Sequence, residues 1–311
     1  MQMQQPEQRP GSTPPRTITP FSVTPVQTSS RLRFPLSQYE LASRVRQALE
    51  EDSAFNDVTT IATVVTSRHA RAKLVARQDG TLAGLPLALE AFRQLDPKIS
   101  IRVDAEDGHA VRKGAIVLFL TGHARGLLSA ERTALNFMQR LSGIATHTAR
   151  YVAAVKGTRA RILDTRKTTP GWRTLEKYAV RAGGGTNHRM DLADSVLIKD
   201  NHLRAVDGDV RLAIRRTREL EPNAKIEVEC ESVEQVEAAL DAKADIILLD
   251  NMPLADMRVC VEAVAGRALV EASGGVHLDT VRAIAETGVD FISVGALTHS
   301  PPAMNLALDF E

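Results

Sequence analysis

Between Asp164 and His202 the chain reads DTRKTTPGWRTLEKYAVRAGGGTNHRMDLADSVLIKDNH, and Arg166, Lys167, His188, Arg189 and Lys199 are set around three successive glycines, Gly183 to Gly185. The whole protein has 311 residues and a formal net charge of only +1, so this density of cation is local. A solvated face normally intersperses acids among its bases; here no acid stands directly beside the Arg166-Lys167 or His188-Arg189 pair, which favours a pocket for an anionic ligand. Arginine grips a carboxylate or phosphate through two parallel hydrogen bonds, so the chemistry on offer is the holding of a ligand with several negative charges.

Further along, Glu229 and Asp250 each follow a short apolar run. Two carboxylates suit magnesium, which takes one or two protein acids and fills its other positions with water and phosphate oxygens; the alternative is a pair of rim acids neutralising nearby lysines. Ser273-Gly274-Gly275 and Gly295-Ala296 follow two later runs, where glycine permits close approach of backbone N–H groups to a phosphate. Earlier, Arg132 and Asn136 lie four residues apart on a helical pattern that also carries Glu131 and Arg140, so they project together, as a solvated side or as a functional patch.

These residues need elements to position them. From residue 160 onward short apolar runs alternate with helical segments: Arg161 to Leu163, Ser195 to Ile198, Ile226 to Val228, Ile246 to Leu249, Ala268 to Val270 and Phe291 to Val294 read as strands, with helices such as Ser232 to Leu240 and Leu278 to Thr287 between them. Strand alternating with helix implies a parallel sheet. Polar or glycine residues follow all six runs, as they do where the C-terminal ends of barrel strands share one mouth, so the fold class is α/β, a β/α barrel over residues 141–301.

Ahead of it, a smaller α+β domain is expected over 31–140, completed by the C-terminal segment 302–311. Its signals are a helix with Leu41, Val45, Ala48 and Leu49 on one face, strands at Ala72 to Ala76, Ile99 to Val103 and Ile116 to Leu120, and a helix at Leu85 to Leu95. A hairpin-like connection at Glu106 to Gly114 suggests a sheet built largely from neighbouring strands. A longer helix is predicted after Gly126 with Ser129 as its N-cap. Residues 1–30, rich in Gln, Pro, Ser and Thr, read as a disordered tail.

Near-neutral charge argues against a general nucleic-acid or membrane-surface binder. Cys230 and Cys260, the two cysteines, have no partner at metal-ligand spacing and read as buried thiols. No apolar run approaches the ~20 residues that span a bilayer, and the N-terminus lacks a secretory apolar core, so a cytoplasmic location is expected.

The segments DTRKTTPG, RAGGGTNHR, LIKDNH, EVE, LLDN, EASGG and VGALTHS, in this order, resemble the quinolinate phosphoribosyltransferase family. ERTALNFMQRLSG in the long helix and NDVTT in the early loop extend the resemblance over nearly all of the chain from about residue 36. It implies a type II phosphoribosyltransferase fold in which quinolinate and phosphoribosyl pyrophosphate give nicotinate mononucleotide, pyrophosphate and carbon dioxide with magnesium, feeding NAD synthesis. By that resemblance Arg132, Thr165, Arg166, His188, Arg189 and Lys199 meet quinolinate, and Lys167 lies between the two substrates. Glu229 and Asp250 serve the ribose and the metal, while Ser273, Gly274, Gly275 and Gly295 form the 5′-phosphate loops with His299 close by. Lys167, Lys199, Glu229 and Asp250 are the implied catalytic set.

The resemblance further implies a homodimer with shared active sites, Arg132 acting across the interface, and leaves room for a higher homo-oligomer. Asn56 and Ala182 depart from the glycine and cysteine common in the family. A phosphoribosyltransferase acting on nicotinate or another acid, a paralogue linked to metal or molybdate uptake, and a non-catalytic anion-binding barrel are the rival readings.

Overall fold

The computed structural model describes residues 32–311, so the tail expected over 1–30 lies outside the described residues. Helix α1 (Gln38–Glu51) starts at a reciprocal cap: Ser37 Oγ accepts from Glu40 N, and Glu40 Oε2 accepts from Ser37 N at 2.8 Å. Leu41, Val45 and Leu49 recur every four residues and are buried. After a 3₁₀ turn (Ala54–Asn56) come α2 (Val58–Thr63), β1 (His69–Ala76), β2 (Gly80–Thr81), α3 (Leu85–Leu95), β3 (Ser100–Val103), β4 (Ala110–Val111), β5 (Ile116–His123) and α4 (Ala124–Ala154).

The sheet of this part is antiparallel in the order β12-β1-β5-β3, where β12 (Leu306–Phe310) is the chain's last strand. It is therefore not a run of sequence neighbours, and β4 pairs with β2 instead of joining it. The C-terminal segment reaches the sheet across α4, where Met304 N donates to Gln139 O and Gln139 Nε2 donates to Leu306 O, both at 2.9 Å.

The long helix corrects the expected cap. It begins at Ala124 directly after β5, and Ser129 lies inside it, donating to Asp57 Oδ2 at 2.9 Å. Asp57 is itself the cap of α2, accepting from Thr60 N at 3.0 Å. Ala124 and Leu127, ahead of Ser129, are apolar and buried, so burial carries the helix through a residue that also suits a start.

From residue 161 the chain alternates strand and helix: β6 (Arg161–Leu163), α5 (Arg173–Ala182), β7 (Val196–Ile198), α6 (Asp200–Arg204), α7 (Val210–Leu220), β8 (Ile226–Cys230), α8 (Val233–Asp241), β9 (Ile246–Asp250), α9 (Leu254–Val264), β10 (Leu269–Ser273), α10 (Leu278–Ala285), β11 (Phe291–Ser293) and α11 (Ala296–His299). All six strands run parallel in the order β6-β11-β10-β9-β8-β7. Thr186 forms a parallel bridge to Leu163 and partly fills the seam beside β6.

Register sets what faces inward. Leu197 pairs with Glu227, Glu229 with Leu248, Leu248 with Glu271 and Glu271 with Phe291, so these side chains share one face of the curved sheet. Val228, Cys230, Ile247, Leu249, Val270 and Ala272 alternate with them and join the apolar core. The strand expected at Ala268 to Val270 actually spans Leu269–Ser273, and that expected at Ile226 to Val228 runs on to Cys230. Each strand outruns its apolar pattern because it contains a buried acid, Glu271 or Glu229, which breaks the apolar run.

Candidate active site

Two chain segments carry the basic cluster to one place. Thr186 N donates to Ile162 O and Asp164 N donates to Thr186 O, so the chain from Gly185 to Arg189 runs beside the end of β6 like a partial extra strand. The triple glycine makes this possible by close packing on α4: a Cβ on Gly183 would strike Ala145 O, and one on Gly185 would lie 2.8 Å from Thr148 Cγ2. Beyond the bridge, Asp164 accepts from His188 N at 2.8 Å and from Asn187 Nδ2 at 2.6 Å, and Lys177 bridges Asp164 Oδ1 and His188 O.

Arg166 and Arg189 therefore emerge side by side. Burial, and then the charge of Arg166, lower the pKa of the Arg189 guanidinium from its usual range. Arg189 Nη1 donates to Ser195 O at 2.9 Å, while Arg166 Nε is buried without a hydrogen-bond partner. Two mutually repelling guanidinium groups, one with an orphaned donor, are stabilised by an anion placed between them.

His188 sits differently from the cation expected at the sequence level. Its Nδ1 accepts from Arg189 N at 2.7 Å, which puts the ring proton on Nε2, and Nε2 faces Glu227 at 3.3 Å and Glu271 at 3.6 Å. Burial lowers its pKa further, so it is a neutral ring inside the barrel. Burial also pushes the Glu227 and Glu271 carboxyls up to about 8. These three side chains are the one group of three or more potential metal ligands that lie close together among the described residues. The tautomer argues against a metal there, because a metal on Nε2 would need the proton on Nδ1, where Arg189 N–H already points.

The other half of the mouth is built from later strand ends. Lys199, just after β7, donates to Glu229 Oε2 at 2.5 Å. Asp250 ends β9, and burial followed by the charge of Glu229 raises its pKa, while Lys199 and Lys167 pull it back. Two acids that feel one another, on neighbouring strands and offering carboxylate oxygens, fit magnesium by donor type and number.

Gly274 and Gly275 have φ of +87° and +58°, a backbone region that favours glycine. A Cβ on Gly274 would overlap the Asn251 side chain, whereas one on Gly275 would meet only Asn251 Oδ1 at 3.9 Å, so this loop is open where the next is crowded. At Gly295 a Cβ would lie 3.1 Å from Lys167 Cδ and 3.2 Å from His299 Nε2. Lys167 thus reaches from the first strand end to the last, its N–H held by Thr165 Oγ1 at 3.0 Å.

Thirteen of the fourteen expected residues lie on strand ends or connections of this barrel. Arg132 does not; it is exposed on α4, and no hydrogen bond or ion pair among the described residues involves it. The expectations passed over Asp164, Glu176, Lys177, Asn187, Glu227, Glu271 and Asn251. Acids at alternate positions of the strand IEVEC, and the single acid inside the apolar run of LVEAS, were the visible signal for Glu227 and Glu271.

Known proteins resemble this chain over most of its length. Residues 57–142 match the N-terminal domain, and residues 144–309 the C-terminal domain, of quinolinate phosphoribosyl transferase. The chain is 46% identical over 273 residues to a nicotinate-nucleotide pyrophosphorylase [carboxylating] of Mycobacterium leprae, covering 85% of this chain and 95% of the relative. It is 39% identical over 275 residues to a probable enzyme of the same name from Bacillus subtilis, covering 88% and 94%. Among solved structures, the nicotinate-nucleotide pyrophosphorylase of Francisella tularensis superposes with a TM-score of 0.84 at 38% identity, covering 90% of this chain and 99% of that one.

Proposed function

The chain belongs to the quinolinate phosphoribosyl transferase family, and from that premise we propose that its barrel mouth transfers the phosphoribosyl group of phosphoribosyl pyrophosphate to quinolinate with loss of carbon dioxide. The products are nicotinate mononucleotide and pyrophosphate, and the reaction serves NAD synthesis. The observation that carries this reading is the pairing of two adjacent guanidinium groups, Arg166 and Arg189, with an acid-and-glycine rim opposite them. A dicarboxylate matches the first and a phosphorylated sugar the second.

The residues take the following roles. Arg166 and Arg189 hold the two carboxylates of quinolinate, with Thr165 and Lys199 at the edge of that grip and His188 bracing it as a neutral ring. Lys167 stands between the substrates. Ser273, Gly274, Gly275 and Gly295, with His299 alongside, receive the 5′-phosphate through backbone N–H groups. Glu229 and Asp250 would hold magnesium, which when bound supplies charge neutralisation at the departing pyrophosphate.

Breaking the C1–pyrophosphate bond builds positive character on the ribose and negative charge on the leaving group. Carboxylates beneath the ribose and lysines beside the phosphates therefore stabilise the transition state more than the ground state, without a covalent nucleophile. Transfer leaves, next to C2, a pyridinium nitrogen whose positive charge stabilises the electron pair left on C2 as the carboxylate departs as carbon dioxide, and a proton from water then completes C2. The protein positions and desolvates.

The proposal includes a homodimer, in which Arg132 of the partner subunit completes the grip on quinolinate. Its exposed, unpaired position and the exposed apolar side chains Val58, Ile61 and Val65 on the same domain support a covered face there. No helix of the described residues is long and apolar enough to cross a membrane, and a cytoplasmic location, readable by cell fractionation, is part of the proposal. The reaction is tested by nicotinate mononucleotide formation from quinolinate, phosphoribosyl pyrophosphate and magnesium. The yield should vanish when any of the three is omitted, and product from nicotinate in place of quinolinate would contradict the diacid reading.

A further inference from the structure

Helix α5 presents three polar side chains at i, i+3 and i+4, namely Arg173, Glu176 and Lys177, all on the side that meets the basic cluster. Glu176 and Lys177 are fully buried charged residues, 0% and 1% exposed, which calls for specific partners. Each has them. Lys177 Nζ donates to Asp164 Oδ1 and to His188 O, the latter at 2.9 Å. Glu176 Oε2 accepts from Thr169 N at 3.0 Å, and its Oε1 accepts from Thr169 Oγ1 at 2.9 Å and from Arg140 Nη2 at 2.7 Å. Arg173 Nε donates to Thr168 Oγ1 at 3.1 Å, and its Nη1 to Met190 O at 3.2 Å.

Apart from Arg140 of α4, the partners fall on two segments. Asp164, Thr168 and Thr169 bracket the loop that carries Thr165, Arg166 and Lys167; His188 and Met190 flank Arg189 on either side. One helix face therefore fixes both ends of the first loop and both neighbours of Arg189. The guanidinium groups repel one another, so without such a brace they would drift apart in the absence of ligand. Arg140 extends the brace to the far rim by donating to Thr298 O at 2.7 Å, while Thr298 Oγ1 donates to Lys167 O at 2.7 Å.

We infer that Arg173, Glu176 and Lys177 of α5, with Asp164, form a clamp of positioning residues that sets the spacing between Arg166 and Arg189 and so makes the site selective for two adjacent carboxylates over one. The inference rests on the proposed dicarboxylate site and adds the device that dimensions it. A single guanidinium still binds a single carboxylate when the spacing is lost; the second carboxylate then loses its match. Loosening the clamp should therefore cost a diacid much more than a monoacid.

The test is calorimetric titration of the full-length protein with benzene-1,2-dicarboxylate and with benzoate, which differ by one carboxylate and undergo no turnover. The variants are Glu176→Ala, Glu176→Gln, and the double variant Asp164→Asn with Lys177→Met, which removes both buried charges together so that neither is left alone. Folding is read by circular dichroism and gel filtration. The expected result is a loss of diacid affinity of about tenfold or more in E176A and in the double variant, with benzoate within about threefold of wild type. KM for phosphoribosyl pyrophosphate should also stay within about threefold, and E176Q, which keeps an acceptor for Thr169, should recover most of the diacid affinity.

Equal weakening of both acids in a folded variant, or an unchanged diacid-to-monoacid ratio in E176A, overturns the clamp. If the double variant fails to fold, E176A against E176Q decides. Wild type that binds the diacid but gives no mononucleotide from quinolinate would refute the proposed reaction while leaving the clamp standing.

Discussion

Lys199 and Glu229 form an ion pair of 2.5 Å across the ends of β7 and β8, so a cation assigned to one substrate and an acid assigned to the other are joined before either arrives. Lys199 is nearly half exposed at 45%, Glu229 only 9%, so the pair can open toward the mouth from the lysine side. Replacing Glu229 by Gln removes the tether and half of the acid pair with Asp250. The expected outcome is a rise of about tenfold or more in KM for phosphoribosyl pyrophosphate and in the magnesium needed for half-maximal rate, with KM for quinolinate within about threefold. Initial rates across both concentrations check this.

Arg166 and Arg189 are each expected to contribute a charge-assisted pair to quinolinate. Arg166→Ala or Arg189→Ala should lower kcat/KM for quinolinate by about two decades, on the order of 3 kcal/mol. Arg189→Lys should not restore it, because an ammonium lacks the planar fork. A change below about threefold in either alanine variant removes that residue from the grip.

Glu227 and Glu271 make a prediction about stability. Their carboxyls are pushed up to about 8 in the fold from an ordinary 4.5, so between these values the folded protein holds protons that the unfolded chain has released. Stability must therefore fall as pH rises through that window, by up to about 1.4 kcal/mol per pH unit for each group. Urea unfolding at about pH 6 and pH 8 should show the loss in wild type and a clearly smaller one in the double variant Glu227→Gln with Glu271→Gln. Equal slopes would mean that the pair is ionised throughout.

Arg132 tests the shared site. Mixing inactive Arg132→Ala chains with inactive Lys199→Ala chains should restore up to about a quarter of wild-type activity, since random pairing gives half of the dimers one intact mouth of two. No recovery after verified subunit exchange would place Arg132 within its own chain or outside the site.

Much of this arrangement was legible in the sequence because it sits at strand ends. Arg166, Lys199, Glu229, Asp250, Ser273 and Gly295 each follow or close an apolar run, and period-two alternation locates such runs well. The supporting layer was not legible. Glu176, Lys177 and Asp164 look like ordinary helix and loop charges until the fold buries them against one another, and pairing between residues 13 positions apart leaves no local signature. Glu271 went unseen for a related reason: an acid inside a strand reads as its end. Ser129 misled in the opposite direction, as a good cap residue recruited instead to hold Asp57.

In the proposed reaction phosphoribosyl transfer precedes and enables loss of the C2 carboxylate. It is read most directly with quinolinate labelled at that carboxylate, counting carbon dioxide and pyrophosphate together in a single turnover. Equal amounts of the two are expected, with no carbon dioxide unless phosphoribosyl pyrophosphate is present. Carbon dioxide released without phosphoribosyl pyrophosphate, or pyrophosphate released from phosphoribosyl pyrophosphate with the label retained in the final product, would contradict it.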